Sequence, residues 1–146
     1  PVYFVLYLVT VSVVSHFVPS LNVDQAQQIG FNDVHGLLPL SLTFVSLVVL
    51  PPLAEEIMVR GLLFTSLKRA MRLWPAVLTT SLIFGAAHLA EGGAAGPLWI
   101  GFIDTFILSL VLCHLREKTG SLWAGITLHA LNNRIAFVAL FVIGTR

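Results

Sequence analysis

The chain has 146 residues, of which 57% are apolar and only 10% are charged, and its formal net charge is +1. A soluble domain carries about 25% charged residues, so this composition excludes an ordinary soluble protein and predicts an integral membrane protein. No basic stripe with interleaved aromatic residues is present, which excludes a nucleic-acid partner. The single cysteine, Cys113, excludes an intrachain disulfide and a CxxC-type metal site.

Apolar stretches follow one another along the chain, and a spanning helix needs about 17–25 such residues. We predict five spans, at residues 2–18, 37–67, 74–90, 98–115 and 122–143. The second is expected to break near Pro51 and Pro52, because proline lacks an N–H and clashes within a helix. The predicted fold is an all-α, polytopic membrane helix bundle of about five transmembrane helices.

The whole chain, residues 1–146, is predicted to form a single transmembrane domain with its motif-bearing core at about 37–139. It opens at Pro1 inside an apolar stretch, which is typical of a fragment that lacks upstream helices. Lys and Arg cluster at residues 68–72 and 116–118, so these turns are predicted to be cytoplasmic. The polar segment 22–33 and the turn at Glu91 then lie on the opposite side. We expect a multi-pass protein, in the inner membrane if its source is bacterial or archaeal.

Ionisable and amide side chains interrupt these spans, although a buried charge costs about 2.5–3.5 kcal/mol on insertion scales. At about 1.5 Å per residue, they lie roughly 11–21 Å from the predicted inner ends of three helices. Convergence on one layer predicts a functional site rather than scattered structural exceptions. The candidate residues are Glu55, Glu56, Arg60, His88, His129 and Asn133.

The spacing of these residues predicts pairs. Glu56 and Arg60 are four apart, so they share a helix face and can form an ion pair. Glu55 points about 100° away around the axis and can face a different neighbour. The same four-residue rule groups Phe84 with His88, and His129 with Asn133.

Two adjacent prolines precede the glutamates. Pro51 and Pro52 have no N–H, so the carbonyls of Leu47 and Val48 lose their usual helical donors. Carbonyls freed at membrane depth are tolerated where they face protein or a wet cavity. This pattern predicts a polar pocket beside Glu55.

Three motifs resemble those of the CPBP intramembrane proteases, which include type II CAAX prenyl endopeptidases and bacteriocin-processing and self-immunity proteins. The segment from Glu55 to Gly61, EEIMVRG, resembles the EExxxRG motif. The segment from Phe84 to His88, FGAAH, is similar to FxxxH. The segment from Thr119 to Asn133, TGSLWAGITLHALNN, is similar to the HxxxN motif with its usual lead-in.

The resemblance implies an endopeptidase that works at the lipid bilayer on a peptide or lipidated protein, such as a prenylated CAAX terminus. It implies that Glu55 activates water as a general base, with His88 helping to hold or polarise that water. It further implies that His129 and Asn133 stabilise the oxyanion, while the Glu56–Arg60 pair orients the site.

Metal dependence has two readings. Glu55, His88 and His129 would supply the two imidazoles and one carboxylate of a known catalytic zinc set. However, no HExxH sequence is present and Asn133 is a poor zinc ligand. We therefore prefer a metal-free, glutamate-based mechanism, with a divalent metal such as zinc as the alternative.

Two other functions compete with the protease. An ion-coupled transporter would use the buried charges as a relay, but it is expected to contain two related halves, which the sequence lacks. A non-catalytic bacteriocin-immunity or scaffold protein on the same fold would use the motifs only to hold its helices together.

Overall fold

A computed structural model describes residues 2–22, 25, 27–28, 30–31 and 34–144. Within these residues the chain forms helices and turns without a strand, which confirms the all-α prediction. The α-helices are α1 (Val2–Phe17), α2 (Leu37–Phe44), α3 (Leu50–Glu56), α4 (Thr65–Ala70), α5 (Leu73–Ala87), α6 (Trp99–Thr119) and α7 (Trp123–Phe137). The π-helical segments are π1 (Val45–Val49), π2 (Ile57–Phe64) and π3 (Val138–Ile143), and a 3₁₀ segment covers His88–Ala95.

Four helical runs in the described part are long and apolar enough to cross a membrane, at Leu37–Ala70, Leu73–Ala95, Trp99–Thr119 and Trp123–Ile143. They match four of the five predicted spans and make the chain a multi-pass integral membrane protein. The first predicted span forms a shorter apolar helix, Tyr3–Phe17, below the length of about 17–25 residues that a full crossing needs.

The helix through Pro51 and Pro52 does not end there, so the predicted break is wrong. Helical structure continues from Leu37 to Ala70 over 34 residues. The wider turn of π1 comes directly before the prolines, and the Leu50 N–H bonds to the carbonyl of Val45. Pro51 and Pro52 then occupy the first turn of α3, so the helix continues although neither proline can donate a backbone hydrogen bond.

The chain divides into two compact units. That the whole chain forms a single transmembrane domain stays a prediction. The first unit comprises Pro1–Ile29 and Leu67–Val111. In it, α5 and α6 meet closely at Gly85, where a Cβ would lie 3.1 Å from the Phe102 carbonyl oxygen. Gly85 therefore lets α5, which ends directly before His88, lie against the backbone of α6.

Polar contacts fix the segment around residues 25–28 within the first unit. The Gln25 side chain accepts from the Trp99 N–H at 3.0 Å and donates to the Pro97 carbonyl at 3.0 Å, so it caps α6. Gln27 donates to the Glu91 carboxylate at 2.8 Å. These contacts hold the polar segment against the Glu91 turn, while the membrane side of both stays a prediction. Asp24 and Asp33 lie outside the described residues.

The second unit comprises Gly30–Ser66 and Leu112–Arg146. In it, α7 packs against π1 and α3. Apolar contacts stabilise this packing, including an edge-to-face pair of Phe44 and Phe137 with ring centroids 5.2 Å apart. The segments π1 and α3 precede the EExxxRG motif or carry its glutamates, and α7 carries HxxxN. Their packing therefore brings two of the three motifs together.

Candidate active site

A buried ion pair forms the centre of the second unit. The Arg60 Nη1 donates to Glu56 Oε1 at 2.8 Å, and the two side chains are 0% and 1% exposed. Glu56 ends α3 and Arg60 lies one turn further, in π2, so the predicted pairing is confirmed. Because neither charge reaches water, each depends on the other for its stability.

His129 lies between the two glutamates. Its Nδ1 is 3.4 Å from Glu56 Oε1, and its Nε2 is 3.7 Å from Glu55 Oε2. The ring is 4% exposed, so both contacts form away from bulk water. Four of the six predicted site residues are thus gathered into one cluster by α3, π2 and α7. We call Glu55, Glu56, Arg60 and His129 the carboxylate cluster.

Glu55 differs from its neighbour in exposure. Its side chain is 33% exposed, against 1% for Glu56. Its Oε2 is buried and has no hydrogen-bond donor among the described residues. Adjacent positions on the helix therefore produce one buried carboxylate that is paired with Arg60 and one that is partly exposed, as the 100° divergence predicts.

Gly125 gives the carboxylate cluster its space. A Cβ at this position would lie 2.6 Å from Glu56 Oε2 and 3.7 Å from Leu112 Cδ2. The Glu56 carboxylate thus rests directly on the α7 backbone. The sequence analysis missed this residue, yet Gly125, His129 and Asn133 are spaced by four and share a face of α7. A small residue one turn before the motif histidine was the signal available.

Asn133 lies one turn, about 6 Å, beyond His129 on α7. Its side-chain amide donates to the backbone carbonyl of Leu47 at 3.0 Å. This is one of the two carbonyls that the prolines were predicted to free. The side chain therefore joins α7 to π1, where the helix lacks its own donors.

His88 belongs to the first unit. Its Nδ1 lies 2.8 Å from the Phe84 carbonyl, and the two rings meet edge to face with centroids 4.7 Å apart. The shared face of Phe84 and His88 is thus confirmed. Because the carbonyl can only accept, Nδ1 is the donor in this contact, and Nε2 is the other ring nitrogen. That nitrogen lies 3.8 Å from Glu91 Oε1.

The three candidate zinc ligands are divided between the two units, with Glu55 and His129 in the second and His88 in the first. A catalytic zinc takes three protein ligands and leaves one position open. No group of three or more His, Cys, Asp or Glu side chains among the described residues is arranged to hold a metal ion. Glu55 and His129 approach each other, but Arg60 lies in the same cluster and adds a positive charge. We therefore derive no step through a metal.

Comparison with known proteins identifies the family of this chain. The family model described as type II CAAX prenyl endopeptidase Rce1-like matches residues 37–135, which is more than half of the chain. The chain belongs to this family. No curated protein and no solved structure matches it. Membership places the chain among CAAX-type intramembrane proteases, in agreement with its apolar helices. The matched region contains all four residues of the carboxylate cluster.

The ion pair generates a stability prediction. We expect Glu56→Gln and Arg60→Leu each to lower the free energy of unfolding by about 3–5 kcal/mol, because each strands one buried charge. Combining the two should cost less than the sum of the single changes, since neither charge is then stranded. Melting temperatures of the three variants in one detergent measure this coupling. Strictly additive losses would contradict a paired role.

Proposed function

We propose that the chain is an intramembrane endopeptidase that hydrolyses a peptide bond of a membrane-associated substrate. The substrate is a CAAX-type prenylated C-terminus or another membrane-held peptide. The observation that carries this proposal is the contrast within the carboxylate cluster, where Glu56 is closed off by Arg60 while Glu55 stays one-third exposed beside His129. A carboxylate with an accessible oxygen next to an imidazole is suited to act as a general base.

In the proposed reaction, Glu55 takes a proton from water as the water oxygen attacks the scissile carbonyl carbon. The carbonyl π electrons move to its oxygen, which becomes the oxyanion of a tetrahedral intermediate. Collapse of that intermediate re-forms the carbonyl and breaks the C–N bond, and the proton held on Glu55 passes to the leaving amine. Water is the only co-reactant, and Glu55 returns to its starting state.

Other candidate residues support this step in different ways. Asn133 supplies an N–H donor to the oxyanion, where preorganised donors act strongly in a dry site. His129 touches both glutamates, so its first role is to hold Glu55, and it can also donate toward the developing charge. The water-polarising role expected for His88 from the resemblance stays a prediction.

Glu55→Gln tests the base. We expect this change to abolish cleavage of a farnesylated CAAX peptide, a loss of about 10²–10⁴-fold, because the amide cannot take a proton. The melting temperature should stay near that of the unsubstituted protein, since Glu55 has no ion-pair partner comparable to Arg60. Peptidase rate and melting are measured on the same detergent preparation.

The control for Glu55→Gln is Glu117→Gln, the same chemical change at an exposed position in the last turn of α6. It should leave the rate unchanged. If Glu55→Gln melts early while Glu56→Gln stays stable and inactive, the two glutamates have exchanged roles. Full activity of Glu55→Gln would remove the proposed base altogether.

Asn133→Ala tests the oxyanion donor. We expect kcat to fall about 10²–10³-fold, the usual loss when one oxyanion donor is removed, with KM changing far less. Asn132→Ala is the matched control, because it removes the same amide from the neighbouring position on α7. A greater loss for Asn132→Ala would show that the HxxxN register is misassigned.

Removal of metal tests the glutamate-based mechanism. We expect peptidase activity to persist after dialysis against a chelator, and metal analysis of the purified protein to give less than stoichiometric zinc. The reason is that the proposed base, Glu55, takes the proton from water directly. Activity lost to the chelator and restored by zinc would establish the alternative, a metallopeptidase.

A further inference from the structure

The carbonyl of Leu47 has no helical donor of its own. In an α-helical register its donor would be the N–H of residue 51, and in a π-helical register that of residue 52. Both residues are proline and have no N–H. The remaining candidate, the Leu50 N–H, bonds to Val45 instead. A single proline would leave one register intact, whereas the tandem pair removes both.

The donor that replaces them is the Asn133 side chain, whose Nδ2 lies 3.0 Å from the Leu47 oxygen. A carboxamide can present either its NH₂ or its oxygen in a given direction, and the surrounding hydrogen bonds decide which. A carbonyl can only accept, so it selects the NH₂ end. One N–H points to Leu47, and the second, about 120° away in the amide plane, is left to donate elsewhere.

We propose that Pro51 and Pro52 are positioning residues for the oxyanion donor. By leaving the Leu47 carbonyl without a helical donor, they make it the acceptor that fixes the rotation of the Asn133 amide. The flipped amide would turn its oxygen toward the oxyanion and repel it, so the fixed orientation has a direct effect on the rate. This inference rests on the proposed function of Asn133.

The test restores the missing N–H groups with the double variant Pro51→Ala/Pro52→Ala. In either register Leu47 then gains a helical donor that competes with Asn133. We expect kcat for a farnesylated CAAX peptide to fall about 10- to 100-fold with little change in KM, as for a misplaced catalytic group. The melting temperature should not fall in parallel, because alanine restores helical hydrogen bonds that proline denies.

The matched control is Pro39→Ala, in the first turn of α2, where an added N–H would find no intrahelical acceptor. It should leave kcat unchanged. Because the prolines act through Asn133, the proline changes should have no further effect on kcat in an Asn133→Ala background. The single variants Pro51→Ala and Pro52→Ala carry the same test if the double variant does not fold, and at least one should lower kcat.

Several outcomes would overturn the inference. If Asn133→Ala is nearly inactive but the proline variants keep full kcat, the positioning role fails while the proposed function stands. The positioning role also fails if the proline changes lower kcat of the Asn133→Ala protein as much as that of the unsubstituted protein. It fails likewise if the proline changes lower kcat only in proportion to a lower melting temperature. If Asn133→Ala itself keeps full kcat, the proposed oxyanion role fails and the inference fails with it.

Discussion

The Glu56–Arg60 ion pair is the interaction on which the second unit depends. Two opposite charges with almost no exposure to water lie in a helix that is otherwise apolar enough to span a membrane. Neither can be removed alone without leaving a charge in a low-dielectric setting. The pair therefore constrains its surroundings: α7 must offer a glycine where the Glu56 carboxylate rests, and an imidazole where its Oε1 faces.

Backbone hydrogen bonds impose a second constraint, because helix donors and acceptors within a bilayer must be satisfied by protein. The run from Leu37 to Ala70 contains two wide turns, π1 before the prolines and π2 after the glutamates. Both π segments flank the glutamates, and such turns are frequent at functional sites. The two prolines leave the Leu47 carbonyl without a helical donor, and a side chain from another helix meets it.

Residue spacing and chemistry predicted much of the site. The i,i+4 rule paired Glu56 with Arg60 correctly, although Arg60 lies in π2, where the turn is wider than in an α-helix. Depth was predicted less well. A count at about 1.5 Å per residue spread the candidate residues over roughly 11–21 Å from the inner ends, yet His129 contacts both glutamates. That count assumed a uniform α-helix, whereas π2 fits more residues into each turn, so each advances less along the axis. Neither composition nor periodicity predicts a π turn.

Pro51 and Pro52 suggested a break in the helix. Their missing N–H donors are visible in the sequence, whereas the π turn that accommodates them is not.

Charge balance explains why a reaction centre of this kind would keep two adjacent glutamates. The proposed mechanism starts from ionised Glu55 and Glu56, charged Arg60 and neutral His129, which gives the carboxylate cluster one net negative charge. When Glu55 takes a proton from water, the cluster becomes neutral and the negative charge appears on the substrate oxyanion. The proposed step therefore transfers one charge between two sites within the unit, and no additional charge is created in the bilayer. In the proposed mechanism Glu56 is not the base, because protonating it would strand Arg60. The second carboxylate keeps the arginine neutralised throughout, and the first is thereby free to change its protonation state.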